Sequence, residues 1–388
     1  MLMTPLSDDA PRPPVPDFLL DGPRHSLTVA GRKRDLPSGA LPTLAERAAS
    51  FFDSHPDGPR LLVGAIPYDR RADDALFQPD ALVARRWTAP AASGGGTRAV
   101  RVVAEPSGAG YRAAVAEAVR RIQRGEFDKI VLSRSLRLLG EQPHAEAELL
   151  ARLQRDPEAT VFRVPLPARR AGERRRLLGA TPELLLQRQG RQVVSHPLAG
   201  SARRHADTAR DRAAGAALLA SDKDRREHAM AAEMVLDALA PYCDRLSAPQ
   251  GMALVSTAQM WHLGTRIEGR LRDPESSCAE LLAVLHPTPA VGGMPRAAAE
   301  AALPALEGYD RGFYAGAVGW IDGAGDGCWY LALRCAELLD TEARLYAGAG
   351  IVAGSDPALE EAETSAKFLA MLATFGIDES GRSLDNAA

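Results

Sequence analysis

The sequence has 388 residues, 46% of them hydrophobic and 25% charged, with a net charge of −3 at neutral pH. That balance describes a soluble globular protein with ample core, and it gives no reason to expect nucleic acid or a membrane surface as a partner. No run of about 18 apolar residues is present for a membrane span, and Cys243, Cys278, Cys328 and Cys335 form no CxxC pair, as expected of reduced thiols in a cytoplasmic protein.

In chain order, "MLMTPLSDDAPRPPVP" (1–16) is acidic and Pro-rich, has no apolar h-region and reads as a disordered tail. Residues 17–104 mix short apolar runs such as "RLLVGAIPYD" with turns, and end near "AASGGGTR", a flexible surface loop. "GYRAAVAEAVRRIQRGEF" then places Val115, Val119 and Ile122 on one helical stripe. "DKIVLSRSLRLL" reads as a strand, and a second helix is expected over 144–155. "ELLLQRQGRQVVSH" has two apolar runs about Gln189 and Gly190, the pattern of a hairpin. "FYAGAVGWID", "CWYLALRCAELL" and "ARLYAGAGIV" read as three strands whose short turns make them antiparallel neighbours. Further helices are expected at 205–220, 223–241, 295–306 and 357–374. Strands cluster without regular βαβ units, so the fold class is α+β on antiparallel sheets in one large domain. Its core runs over 105–376, with 17–104 as a variable front part and 377–388 as a tail.

Gly348, Gly350 and Gly354 stand between a strand and a helix, which invites a dinucleotide reading. The spacing is GxGxxxG rather than GxGxxG and no βαβ unit continues, so that reading is set aside. Glycine-loop N–H groups can still meet an anion. In the helix that follows, Glu360, Glu363 and Lys367 share one face. Asp224 and Glu227, early in a second helix, repeat the i, i+3 spacing. Either pair alone is an ordinary acidic first turn. Together they predict a facing four-carboxylate cage for a hard cation, and oxygen-only ligands suit Mg²⁺. His228 reads as structural packing.

Ten segments in order then carry a family resemblance: "FDKIVLSR", "GATPELLL", "SHPLAGSARR", "DRREHAM", "WHLGT", "LHPTPAVGGMPR", "GFYAGAVGW", "ALRCAEL", "RLYAGAGIVAGSDP" and "EEAETSAK". Over about 105–376 the chain resembles the chorismate-utilising enzymes, most of all their isochorismate synthase branch. The resemblance implies two large stacked antiparallel β-sheets with helices packed outside. It implies Mg²⁺ bound most directly by Glu227 and Glu363, with Asp224 and Glu360 completing its shell through water. It implies water addition at C2 of chorismate with loss of the C4 hydroxyl, Lys129 acting as base and Glu183 as acid. For these roles Lys129 has to be neutral and Glu183 protonated, states that burial favours. Arg334 is implied to fork onto a substrate carboxylate, with Lys367 and the N–H groups of Gly200 and Gly348 assisting. Tyr346, Val291 and His262 resemble residues lining the ring pocket.

Lys129 separates this chain from the ammonia-using branch, which resembles it otherwise but lacks a lysine there, and no glutaminase partner is expected. Salicylate synthases, the runner-up, tend to carry a larger polar residue where this chain has Ala290. A chorismate-binding protein without turnover is the third reading, and the intact Lys129, Glu183, Glu227 and Glu363 argue against it. The product is expected to feed siderophore, salicylate-derived or menaquinone biosynthesis, and the protein is expected to be a monomer.

Overall fold

The computed structural model describes residues 14–89 and 100–384. Residues 1–13 of the predicted tail, the "AASGGGTR" loop and residues 385–388 lie outside the described residues. Among the described residues there are two large antiparallel sheets, of ten and nine strands, and a third of three strands. The α+β class with two stacked sheets is therefore as expected; the small third sheet was not anticipated.

Strand alternation explains the stacking. In the Phe18–Asp21 strand, Phe18 and Leu20 face a core shared with Leu62, Val63 and Leu186 of the nine-stranded sheet. Leu19 points the other way, into a second core with Leu150, Phe368 and Leu372. One face of the ten-stranded sheet thus packs on the other sheet. The opposite face packs on the helices Glu146–Leu153 and Pro357–Thr374. The front part contributes to both sheets: Phe18–Asp21 pairs with Thr160–Leu166, and Leu61–Ile66 with Ala317–Asp322. The predicted tail also returns to the fold, with Val100 N donating to Gly381 O at 3.1 Å and Leu384 N to Gly376 O at 2.9 Å.

The predicted helices form over Gly108–Gln123, Glu146–Leu153, Thr208–Ala220, Asp222–Leu239, Arg296–Glu307 and Pro357–Thr374. The predicted hairpin closes through Gly190, at φ +57°, with Gln189 opposite Gln192.

One strand assignment is corrected. "CWYLALRCAELL" is two strands, Gly327–Leu331 in the nine-stranded sheet and Cys335–Leu339 in the ten-stranded sheet. The chain crosses between sheets at Ala332–Arg334, where Arg334 adopts φ +45°. A second crossing lies beside it, from Arg175–Thr181 to Leu184–Gln189 through Pro182 and Glu183. The crossings are tied together by Leu331 N donating to Glu183 O at 3.1 Å and Ala180 N to Arg334 O at 3.2 Å. Glu183 and Arg334 therefore emerge side by side where the sheets exchange strands.

Candidate active site

The two acidic helices start at well-made caps. Ser221 accepts from Asp224 N at the head of Asp222–Leu239, and Asp356 accepts from the N–H groups of Ala358 and Leu359 at the head of Pro357–Thr374. Arg134 docks the second helix, donating to Thr364 Oγ1 at 2.9 Å and Ser365 Oγ at 2.7 Å. Two glycines let the acids approach. A Cβ on Gly350 would stand 2.3 Å from Glu227 Oε1, and one on Gly200, at φ +72°, 2.9 Å from Asp224 Cβ.

The acids and the two crossings surround a recess of about 850 Å³, counted out into open solvent. Of the predicted residues, Glu183, Gly200, Glu227, His262, Ala290, Val291, Arg334, Tyr346, Gly348, Glu363 and Lys367 line it. Lys129, Asp224 and Glu360 are not part of the lining. Lys129 is wholly buried, with Nζ 3.1 Å from Glu227 Oε1.

The cage is not preassembled. Among the described residues no three His, Cys, Asp or Glu side chains are grouped to hold a metal ion. Three of the four acids pair with a lysine instead: Glu227 with Lys129, Glu360 Oε1 with Lys223 at 2.8 Å, and Glu363 Oε1 with Lys367 at 2.7 Å. For Glu360, which is buried, an unpaired carboxylate would be costly, and Lys223 supplies the cation; Glu363 and Lys367 are an i, i+4 pair on one helix face. The donor set still fits a hard divalent ion. Burial, and after it Glu227 and Glu363, pushes the Asp224 carboxyl above its ordinary value, and burial followed by Glu363 does so for Glu360. Glu227 is held below its ordinary value: burial pushes it up, but Lys129, Lys367 and Lys223 outweigh that.

Glu183 is 4% exposed and, among the described residues, its carboxyl accepts from Leu198 N alone, at 3.2 Å. Burial raises its carboxyl to about 8, against the opposing pull of the Leu198 N–H, Lys129 and Arg334. It is mostly protonated at neutral pH, as a proton donor has to be.

Arg334 has no carboxylate within ion-pairing distance among the described residues. Its Nη1 donates to Thr257 Oγ1 at 2.8 Å and its Nη2 to His262 Nε2. Arginine can only donate, so His262 Nε2 accepts and Nδ1 carries the proton, which it donates to Gly200 O at 3.3 Å. Burial and then the Arg334 and Lys367 cations push His262 well down, so its ring is neutral. Burial lowers Arg334 to about 10. The cavity thus holds a desolvated guanidinium in need of an anion. Lys367 lies farther along, donating to Gly348 O at 2.7 Å. An apolar wall of Ala290 and Val291 faces Tyr314 and Tyr346, which stack at 4.8 Å.

Sequence reasoning missed Thr257, Ser201 and Tyr314, and it read Gly350 only as part of a glycine loop, not as the close approach to Glu227. Ser201 donates to Glu363 Oε1 at 3.3 Å. The spacing of Gly350, two residues after Gly348 and so on the same strand face, was the available signal. His228 packs as expected, its Nε2 2.6 Å from Thr265 Oγ1.

The family model described as "Chorismate binding enzyme" matches residues 83–376. The chain is 43% identical to the isochorismate synthase DhbC of Bacillus subtilis over 93% of its own length and 94% of the relative's. It is 37% identical to the isochorismate synthase EntC of Escherichia coli K12, over 93% and 95%. Among solved structures it superposes with TM-score 0.87 on a Bacillus anthracis chain described as a 2,3-dihydroxybenzoate-specific isochorismate synthase, DhbC, at 36% identity over 94% of this chain and 97% of that one.

Proposed function

This chain belongs to the chorismate-binding enzyme family, and from that premise we propose that it converts chorismate to isochorismate. Water attacks C2, the ring double bonds shift, and the C4 hydroxyl departs. Glu183 gives its proton to the departing hydroxyl, which leaves as water. Lys129 takes the proton lost by the attacking water. Held 3.1 Å from Glu227, the resulting ammonium has its counter-ion in place. One water enters and one leaves, and return of one proton from Lys129 to Glu183 resets the two groups.

The observation that carries this reading is a pair of buried groups close enough to feel each other's charge: a carboxyl protonated up to about pH 8, Glu183, and a wholly buried lysine, Lys129. Proton donation at one ring carbon and removal at another need such a pair. Arg334 supplies the fork for one substrate carboxylate. Glu227 and Glu363, with Asp224 and Glu360 beside them, would hold Mg²⁺; bound there, the ion neutralises the second carboxylate. Ala290 is small and apolar and offers no group to hold the enolpyruvyl chain for elimination, which favours stopping at isochorismate. The 2,3-dihydroxybenzoate route named for one relative is the downstream use we favour.

The test is isotopic. Isochorismate formed in H₂¹⁸O should carry the label on its C2 oxygen. Unlabelled isochorismate would rule out water as the nucleophile.

A further inference from the structure

Behind the cavity wall lies a buried ion pair that the proposed reaction does not use. Glu307 and Arg311 are 6% and 3% exposed. Arg311 Nε donates to Glu307 Oε2 at 2.8 Å, and its Nη2 to Oε1 at 2.5 Å. The same guanidinium donates from Nη1 to Val291 O at 2.7 Å and from Nη2 to Val131 O at 2.6 Å. Glu307 Oε1 accepts from the N–H of Ser133 at 2.6 Å and from its hydroxyl at 2.7 Å. Val131 and Val291 both line the cavity, and Ser133 lies opposite Gly348, another lining residue.

Stability alone does not account for this pair. Apolar residues of the same volume commonly replace a buried ion pair without loss. What they lack is a planar fork able to hold two carbonyls from different segments at once. Here those segments are the strand that begins with Lys129 and the turn that carries Ala290 and Val291. We propose that Glu307 and Arg311 are positioning residues that set the width of the substrate cavity, fixing Val131 and Val291 from behind. The proposal rests on the reading of that cavity as the chorismate site.

The test is the double variant Glu307→Gln/Arg311→Met, which removes both charges together, read by thermal melting and steady-state kinetics. The melting temperature should stay at or above that of the unmodified protein, while KM for chorismate rises about tenfold or more because the wall is no longer held. Arg311→Lys keeps the charge and loses the fork, and should raise KM similarly; it serves as the readout if the double variant does not fold. Unchanged KM in folded variants would overturn the proposal, as would losses of kcat and KM that merely track melting temperature. An unmodified protein that leaves chorismate untouched would sink the functional reading itself.

Discussion

Lys129 Nζ lies 3.1 Å from Glu227 Oε1 and is wholly buried, while Glu227 keeps part of its side chain on the cavity. The pair joins the proposed base to the proposed metal site, so the two ends should respond differently to substitution. Lys129→Ala should lower turnover by about 10²-fold or more, the scale of a positioned base, with chorismate still bound. A near-normal rate would remove Lys129 as base and reopen the ammonia-using reading.

Metal dependence follows from the acids. Turnover should vanish in EDTA and return with Mg²⁺. Glu227→Ala and Glu363→Ala should each be folded and inactive. Because lysines cover the acids, Mg²⁺ has to compete with them, and calorimetry should find its binding weakened in either variant. Full activity in EDTA would contradict the magnesium assignment.

Glu183 sets a basic limb. Its carboxyl stays protonated up to about 8, so kcat/KM should fall as pH rises through about 8. Glu183→Gln should lose about 10²-fold or more and lack that limb. The sign for stability follows the same shift. A carboxyl with its folded value raised stabilises fully below its unfolded value, and that contribution is lost as pH rises through the folded one. The Gln variant should therefore gain melting temperature relative to the unmodified protein between pH 5 and pH 9. A pH-independent difference would show that Glu183 is ionised throughout.

Arg334 lacks an acid partner, so its loss should act on substrate binding. Arg334→Ala should raise KM roughly ten- to hundredfold, the value of charge-assisted hydrogen bonds to a carboxylate. Arg334→Lys should recover little, since one ammonium does not replace the fork. Unchanged KM would place the carboxylate elsewhere.

The acidic faces of this site were legible in local helix spacing, while Lys129, Glu183, Arg334 and the pocket residues entered through the family resemblance. Glu360, Glu363 and Lys367 share a face by spacing alone, whereas the glycines at 348 and 350 read only as a loop able to meet an anion, and the approach of Glu227 to Gly350 is set by the fold. The sheet crossing at Ala332–Arg334 was not legible. Cys328–Leu331 and Cys335–Leu338 are buried throughout, so no alternation marks where one strand ends. The link from Ser133 to Glu307 spans 174 residues, and no local pattern encodes it. The lysine partners of the acids were missed for a related reason. Lys223 reads as a solvated helix residue until the fold brings Glu360 to it.

The product decides between this reading and its nearest rival. Ala290→Thr should increase salicylate and pyruvate if that position helps govern elimination, and unchanged products would assign the control elsewhere. The most direct measurement is chromatography of the products after the unmodified protein meets chorismate and Mg²⁺ at neutral pH. The account predicts a mixture of isochorismate and chorismate, approached equally when isochorismate is supplied. Stoichiometric salicylate and pyruvate would contradict it.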